Sequence, residues 1–227
     1  MTLGLVLSFV FLASNANSVL LVETNDPGFY NNNIGTLLNL SNTGIDDANE
    51  PFPVSDDSSV TYANAPDLSA AGAILGNWLS APDNLNTNWS ANPIAIPNNW
   101  AVSTEVAVVY QFDTLEATNV VAQFGVDNGI FAWLDGEYIF GARGRGGVTF
   151  PEYTLNLGDF DAGTHYLQLL LEDHGSTNGY RVEINADTYT PGNPAPIPSP
   201  GTASLILAAG FGLIARRKQL GINRKVV

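Results

Sequence analysis

Between Glu105 and Ala186, β-forming side chains recur at every second position, and that period most limits what the chain folds into. Val106, Val108, Tyr110 and Phe112 form one such run; His165, Leu167, Leu169 and Leu171 form another, and Tyr180, Val182, Ile184 and Ala186 a third. Successive side chains of a strand point to opposite faces, so a period of two marks antiparallel sheet with one face turned inward. Val120–Phe124, Ile130–Leu134, Glu137–Phe140 and Tyr153–Leu157 add further β-prone runs. Val19–Val22 reads as a first strand, closed by the turn Asn25-Asp26-Pro27-Gly28. Runs of this kind separated by Gly and Asp turns predict an all-β protein, an antiparallel β-sandwich or jelly roll.

The sharpest local signal is a hairpin. Asp135-Gly136 separates Ile130–Leu134 from Glu137–Phe140, and a two-residue turn of this type needs φ > 0 at both central positions. Asp127-Asn128-Gly129 forms a second turn just ahead, with acidic and amide oxygens beside Trp133. One short helix is expected over Pro66–Trp78. Proline suits a first turn, and Leu68, Ala71, Leu75 and Trp78 fall at helical spacing. From Tyr30 to Ala65 the chain is rich in Asn, Asp, Ser, Gly and Pro. Short strands are expected there, because an unstructured loop of that length is unusual in a compact domain. The layout of residues 30–100 is not specified further. Trp78, Trp89 and Trp100 recur every eleven residues, but the residues between do not match, so this is no repeat. Exposed tryptophans are stacking platforms for sugar rings and buried ones fill a core; both readings stand.

Charge is distributed unevenly. All 22 acidic residues lie between Glu23 and Asp187, with only Arg143, Arg145 and Arg181 among them, so the body is 19 units negative. The other five basic residues fall within the last twelve positions. A body this acidic repels phosphate, which argues against nucleic acid as a partner and suits an extracellular protein or one that collects divalent cations. The absence of cysteine excludes disulfides, thiolate zinc sites and a cysteine nucleophile.

The two ends read as addresses. Leu3–Ala13 is an apolar run of eleven residues, short of the roughly 20 that span a bilayer, and the small residues Ser14-Asn15-Ala16 follow it. Residues 1–17 are therefore expected to be a signal peptide, although no Lys or Arg precedes the apolar run; a buried first strand is the alternative. Residues 18–187 form the sandwich domain. Residues 188–200 (TYTPGNPAPIPSP) form a Pro-rich linker, expected to stay out of any sheet. Residues 201–227 hold the apolar run Ala203–Ala215, followed by Arg216, Arg217 and Lys218. That cluster would stay cytoplasmic by the positive-inside rule.

Two resemblances follow from these residues. The order Asp127-Asn128-Gly129, aromatic strand, Asp135-Gly136 resembles sugar-binding-type β-sandwiches, a group that includes galactose-binding-like jelly rolls and protective-antigen-like lectin modules. Asp161-Ala162-Gly163-Thr164, the long apolar strand after it and Tyr180-Arg181-Val182-Glu183 extend the galactose-binding-like resemblance. At the C-terminus, Pro198-Ser199-Pro200, the apolar run and Arg216-Arg217-Lys218 resemble the PEP-CTERM sorting signal of exosortase substrates. Ser199 stands where that family usually has Glu, and nine residues follow Lys218. The resemblances imply an exported protein, transiently anchored in the membrane, processed by an exosortase-like enzyme and released to the cell envelope, cell surface or extracellular matrix. Its sandwich would bind extracellular polysaccharide.

No catalytic residue is assigned. The chain has no Gly-x-Ser-x-Gly elbow, no His-Glu-x-x-His and no Walker loop, and Gly141–Gly147 does not join a strand to a helix. His165 reads as structural and His174 as a turn residue beside Glu172-Asp173. The candidate ligand-binding residues are Trp133, Asp135, Arg143 and Arg145. The two arginines would clamp a carboxylate or acidic sugar, or else pair with neighbouring acids. Asp127, Asn128, Asp135, Glu172 and Asp173 supply hard oxygens for a discontinuous calcium site, with ordinary solvated turn acids as the alternative. Any ligand is expected at an edge formed by Asp127–Gly129, Asp135-Gly136 and Glu172–Asn178. A non-catalytic carbohydrate-binding module is the expected function, with a passive matrix protein or a secreted glycan hydrolase as alternatives.

Overall fold

The computed structural model describes residues 18–38, 40, 60–144, 147–173 and 177–192. The chain divides into two compact units, Met1–Gly192 and Asn193–Val227, and every described residue belongs to the first. The signal peptide, Pro198, Ser199, Pro200, Arg216, Arg217 and Lys218 fall outside the described residues, as do Arg145 and His174. Among the described residues no helix is long and apolar enough to cross a membrane.

The described residues form eleven strands in order: β1 Val19–Glu23, β2 Pro27–Gly35, β3 Val60–Thr61, β4 Ile94–Ala95, β5 Glu105–Asp127, β6 Gly129–Leu134, β7 Glu137–Arg143, β8 Tyr153–Phe160, β9 Gly163–Glu172, β10 Gly179–Ala186 and β11 Thr188–Pro191. All pairings are antiparallel. The fold is the expected antiparallel β-sandwich. Its spine is β5, where the alternation predicts two separate strands over Val106–Phe112 and Val120–Phe124. They are one strand of 23 residues. Its first half pairs with β2 and β9, and its second half with β8, β10 and β11. One strand thus serves both sheets, with register irregularities between Ala117 and Val121 and a positive φ of 50° at Asn119 where it changes partners.

The main core lies between the sheets. Val106, Val108 and Tyr110 from the first half of β5 meet Ala122, Phe124 and Val126 from its second half, with Leu167, Leu169, Val182 and Ile184 around them. A second apolar cluster covers the other face of the β5–β9–β6 layer. It joins Ala107, Val109, Phe131, Trp133 and Leu170 to Leu75, Trp78 and Trp89. Those strands are therefore buried on both faces, which explains why Ala107 and Val109 stand between the alternating residues instead of polar ones.

The hairpin has the expected turn: φ is 52° at Asp135 and 83° at Gly136. Any Cβ at Gly136 would run into the Leu79 carbonyl. The helix is shorter than its spacing predicts, a 3₁₀ turn Ser69–Ala71 followed by α1 Gly72–Leu75. Gly76 ends it at φ = 63°, where a side chain would meet the Asn86 amide 2.6 Å away. The inward face is nevertheless as spaced, since Ala71, Leu75 and Trp78 are all buried. The linker also begins later than expected. Thr188–Pro191 joins the sheet as β11, because Thr and Tyr favour extended backbone and its proline sits at the last position of an edge strand.

Candidate functional site

Strand register sorts the expected site residues into two groups at opposite ends of β6. Asp127 and Asn128 precede β6, and Asp135 follows it, across a strand of 6 residues, roughly 20 Å long. Asp135 belongs to the hairpin end: its carboxylate accepts from Tyr166 N at 2.8 Å and meets His165 Nδ1 at 2.8 Å. His165 is packed against Phe112 and Phe160, so it joins two turns as a structural residue. The expected edge combining Asp135-Gly136 with the other two turns is therefore not formed. A two-residue hairpin turn must lie at the far end of the strand that separates it from Asp127.

Asp127, Asn128, Glu172, Asp173 and Arg143 do share one end, and all are buried. Register lines up Glu105, Glu172, Gly129 and Arg143 across β5, β9, β6 and β7, so the three side chains lie on one face with glycine between Glu172 and Arg143. Asp127 Oδ2 accepts from Thr177 Oγ1 at 3.4 Å, and Asp173 Oδ2 accepts from Ser103 N at 2.7 Å. The Asn128 amide donates to Glu172 O at 3.2 Å, and its carbonyl accepts from Gly144 N at 2.7 Å. None of Asn128, Arg143, Glu172 and Asp173 is without a further partner. The five-residue calcium set is thus split. Among the described residues no three His, Asp or Glu side chains converge to hold a metal ion. Glu105 Oε1 accepts from Leu40 N at 3.1 Å, and burial pushes its carboxyl up to about 7.

Trp133 offers no open surface. It is 2% exposed and packs edge-on to Trp78 in the second core, because the alternation turns it toward α1. Trp78 and Trp89 are buried against each other, while Trp100 is half-buried against Tyr180. Arg143, 2% exposed, is likewise no clamp for a ligand arriving from solvent.

A cleft of about 500 Å³ opens at the same end, on the outer side of β10, and Glu23, Asn25, Asn98, Asn99, Asn178 and Arg181 line it. Three separate stretches build it. The β1–β2 turn brings Asn25, held by Thr24, whose hydroxyl bonds both N and O of Val182. Asn178 is fixed by two bonds to the Trp100 backbone, of 2.9 and 3.0 Å. The 147–150 loop closes a wall: Thr149 O sits where a side chain at Gly125 would be, and the Arg181 guanidinium lies 4.3 Å over the Phe150 ring. Beneath the floor, Tyr110 and Tyr180 share a 2.6 Å hydroxyl contact, and burial raises both phenols. Sequence reasoning missed Asn25, Asn98, Asn99 and Glu183. A signal was present: Arg181, Glu183, Asn185 and Asp187 are the outward positions of the β10 alternation, and all are polar.

No protein-family model matches the chain, and no curated protein matches it. Among solved structures it resembles a PA14 sugar-binding domain from an RTX adhesin, at 16% identity over 59% of this chain and 71% of that one, with a TM-score of 0.27. The PA14 domain of the MpAFP antifreeze protein is similar at 14% identity over 82% and 92%, with a TM-score of 0.29. A cupin 2 domain-containing protein from Halorhodospira halophila is similar at 13% identity over 57% and 74%, with a TM-score of 0.15.

Proposed function

We propose that the sandwich is a non-catalytic module that binds extracellular carbohydrate in the cleft beside β10. The observation that carries this reading is the lining of that cleft. Each sugar hydroxyl donates and accepts, and a wall mixing the amides of Asn25, Asn98 and Asn99 with the carboxylates of Glu23 and Glu183 answers both roles. Its size falls within the range of small-ligand sites. The test is to pass soluble polysaccharides over the immobilised full chain. Retention without shortening of the glycan supports the proposal, and absence of retention across a broad panel leaves a passive matrix protein.

A second reading, a secreted glycan hydrolase, draws on one specific feature. Glu23 and Glu183 are direct cross-strand partners, and two carboxylates near 5 Å apart are the pair a retaining glycosidase uses. Against it, Arg181 holds Glu183 at 2.8 Å as an ion pair, so that carboxylate is already engaged by a neighbouring side chain. Release of reducing ends that Glu183→Gln abolishes would establish the hydrolase.

The proposal places this module outside the cell after export, transient membrane anchoring and processing by an exosortase-like enzyme. Its support is sequence alone, in Leu3–Ala13, Pro198-Ser199-Pro200 and Arg216-Arg217-Lys218. Mass spectrometry of the mature protein tests it: a C-terminus near Pro198–Gly201 supports sorting, and an intact Val227 overturns it. A calcium ion remains a proposal from the sequence alone, now confined to Asp127, Asn128, Glu172 and Asp173, whose carboxylates would have to move to converge on it. Calorimetry with Ca²⁺ on wild type and Asp127→Ala is its test. Heat lost in the variant supports a cation there, and no heat in either removes calcium from the account.

A further inference from the structure

Beyond the cleft, the outer face of β10 carries a second hollow of about 360 Å³, lined by Asn119, Val121, Gln123, Glu183, Asn185 and Asp187. Glu183 lines both hollows, so they adjoin at its side chain along the outer face of β10. Their floor is set by register. Glu23, Glu183, Gln123 and Thr154 form a row across β1, β10, β5 and β8, and Leu20, Asn185, Val121 and Asn156 form the next. The first row is wholly polar. The second sets Leu20, 45% exposed, and half-buried Val121 among amides. Hydroxyl-matching groups beside small apolar surfaces suit a pyranose, whose edges are polar and whose faces carry C–H bonds.

Length and charge narrow the ligand. From Arg181 to Asp187 the groove runs six residues along β10, roughly 20 Å, or about four pyranose rings end to end. Among the described lining residues the charged groups are the carboxylates of Glu23, Glu183 and Asp187 and one cation, Arg181, which is already paired with Glu183. A uronic acid or sulfated sugar would bring anions against three carboxylates, a repulsion that the described lining residues do not offset.

We infer that the module binds the interior of a linear glycan of neutral or amine-bearing sugars, laid along β10 from the Asn98 cleft to Asp187, rather than a single terminal sugar. This rests on the carbohydrate-binding reading and specifies its ligand class. The experiment is calorimetry on the full chain with β-1,4-linked glucose and N-acetylglucosamine oligomers of one to six units, and with oligogalacturonate as the acidic counterpart. Affinity should rise at least tenfold between the dimer and a four- to six-unit chain in one of the neutral series, with oligogalacturonate not bound. Gln123→Ala/Asn185→Ala, both outward on the sheet, should remove that gain and leave the dimer unchanged, whereas Asn98→Ala should weaken every length. Equal affinity for short and long oligomers, a double variant that binds hexamer like wild type, or binding of the oligogalacturonate would overturn the groove while leaving carbohydrate binding standing. No binding by any of the oligomers overturns the inference, and the retention panel above then decides separately whether carbohydrate binding survives.

Discussion

Replacing Glu105 by glutamine removes a buried charge and keeps a side-chain oxygen for Leu40 N. Glu105 opens β5 fully buried, its Oε1 bonded to Leu40 N at 3.1 Å and its Oε2 with no hydrogen-bond partner. Burial outweighs the backbone hydrogen bonds from Leu38 and Leu40 and lifts its carboxyl from 4.5 to about 7. Below pH 4.5 both folded and unfolded chains hold the proton; above it the unfolded chain releases it while the folded chain keeps it until about pH 7. Stability from this group is therefore full at low pH, falls between about pH 4.5 and 7, and levels off above. The difference corresponds to about 3 kcal/mol at most, or about 2 kcal/mol after allowing for screening from the nearby surface. Glu105→Gln should match wild type near pH 4.5 and melt about 4–8 °C higher at pH 8. Thermal melts of both proteins at half-unit pH steps measure this. A variant less stable than wild type by the same amount at every pH would refute the reasoning. Glu105 would then be ionised and stabilised along its row with Arg143, not held neutral by burial.

Gly136→Ala should cost upwards of about 2 kcal/mol by denaturant melt, since φ is 83° and the Leu79 carbonyl occupies the Cβ position. Tyr110→Phe deletes the hydroxyl that contacts Tyr180 and donates to Thr24 O; a loss of about 1–2 kcal/mol with normal secondary structure is expected. Trp133→Ala should cost about 3–5 kcal/mol as a core truncation, and glycan retention per folded molecule should not change. Selective loss of retention without loss of stability would instead make Trp133 a ligand platform.

The sequence carried the sheet and its hairpin because both have short-range causes. Alternation reports which way each side chain points, and Asp135-Gly136 reports its own backbone conformation. What it did not carry depends on partners far along the chain. Nothing local says that Val106–Phe112 and Val120–Phe124 are one strand, since the change of partners near Asn119 is made by β8, β10 and β11. The same limit governed the site. Trp133, Arg143 and Glu172 have the composition of a binding surface, and only the strands and α1 stacked over them show that they are inside. Asn25, Asn98 and Asn178 look like ordinary turn residues in sequence, and they meet only because β1, β5 and β10 bring three turns to one end. Asp127 and Asp135 both stand in turns, and only the strand between them shows that those turns lie at opposite ends.

The shared strand β5 also governs how the protein can come apart. An ordinary sandwich has two sheets that can part along the core, but here a single backbone of 23 residues crosses from one to the other. Neither sheet can melt and leave its neighbour intact, because each would take half of β5 with it. Heating should therefore give one cooperative transition, with calorimetric and van't Hoff enthalpies equal. Assembly is constrained in the same way. The pairing partners of β5 extend from Phe29 to Pro191, so a chain emerging N-terminus first can pair the start of β5 with β2 but carries its second half unmatched until β8, β10 and β11 arrive. That interval is when this molecule is most exposed to aggregation, and slow, late-committing folding is the kinetic signature its topology dictates.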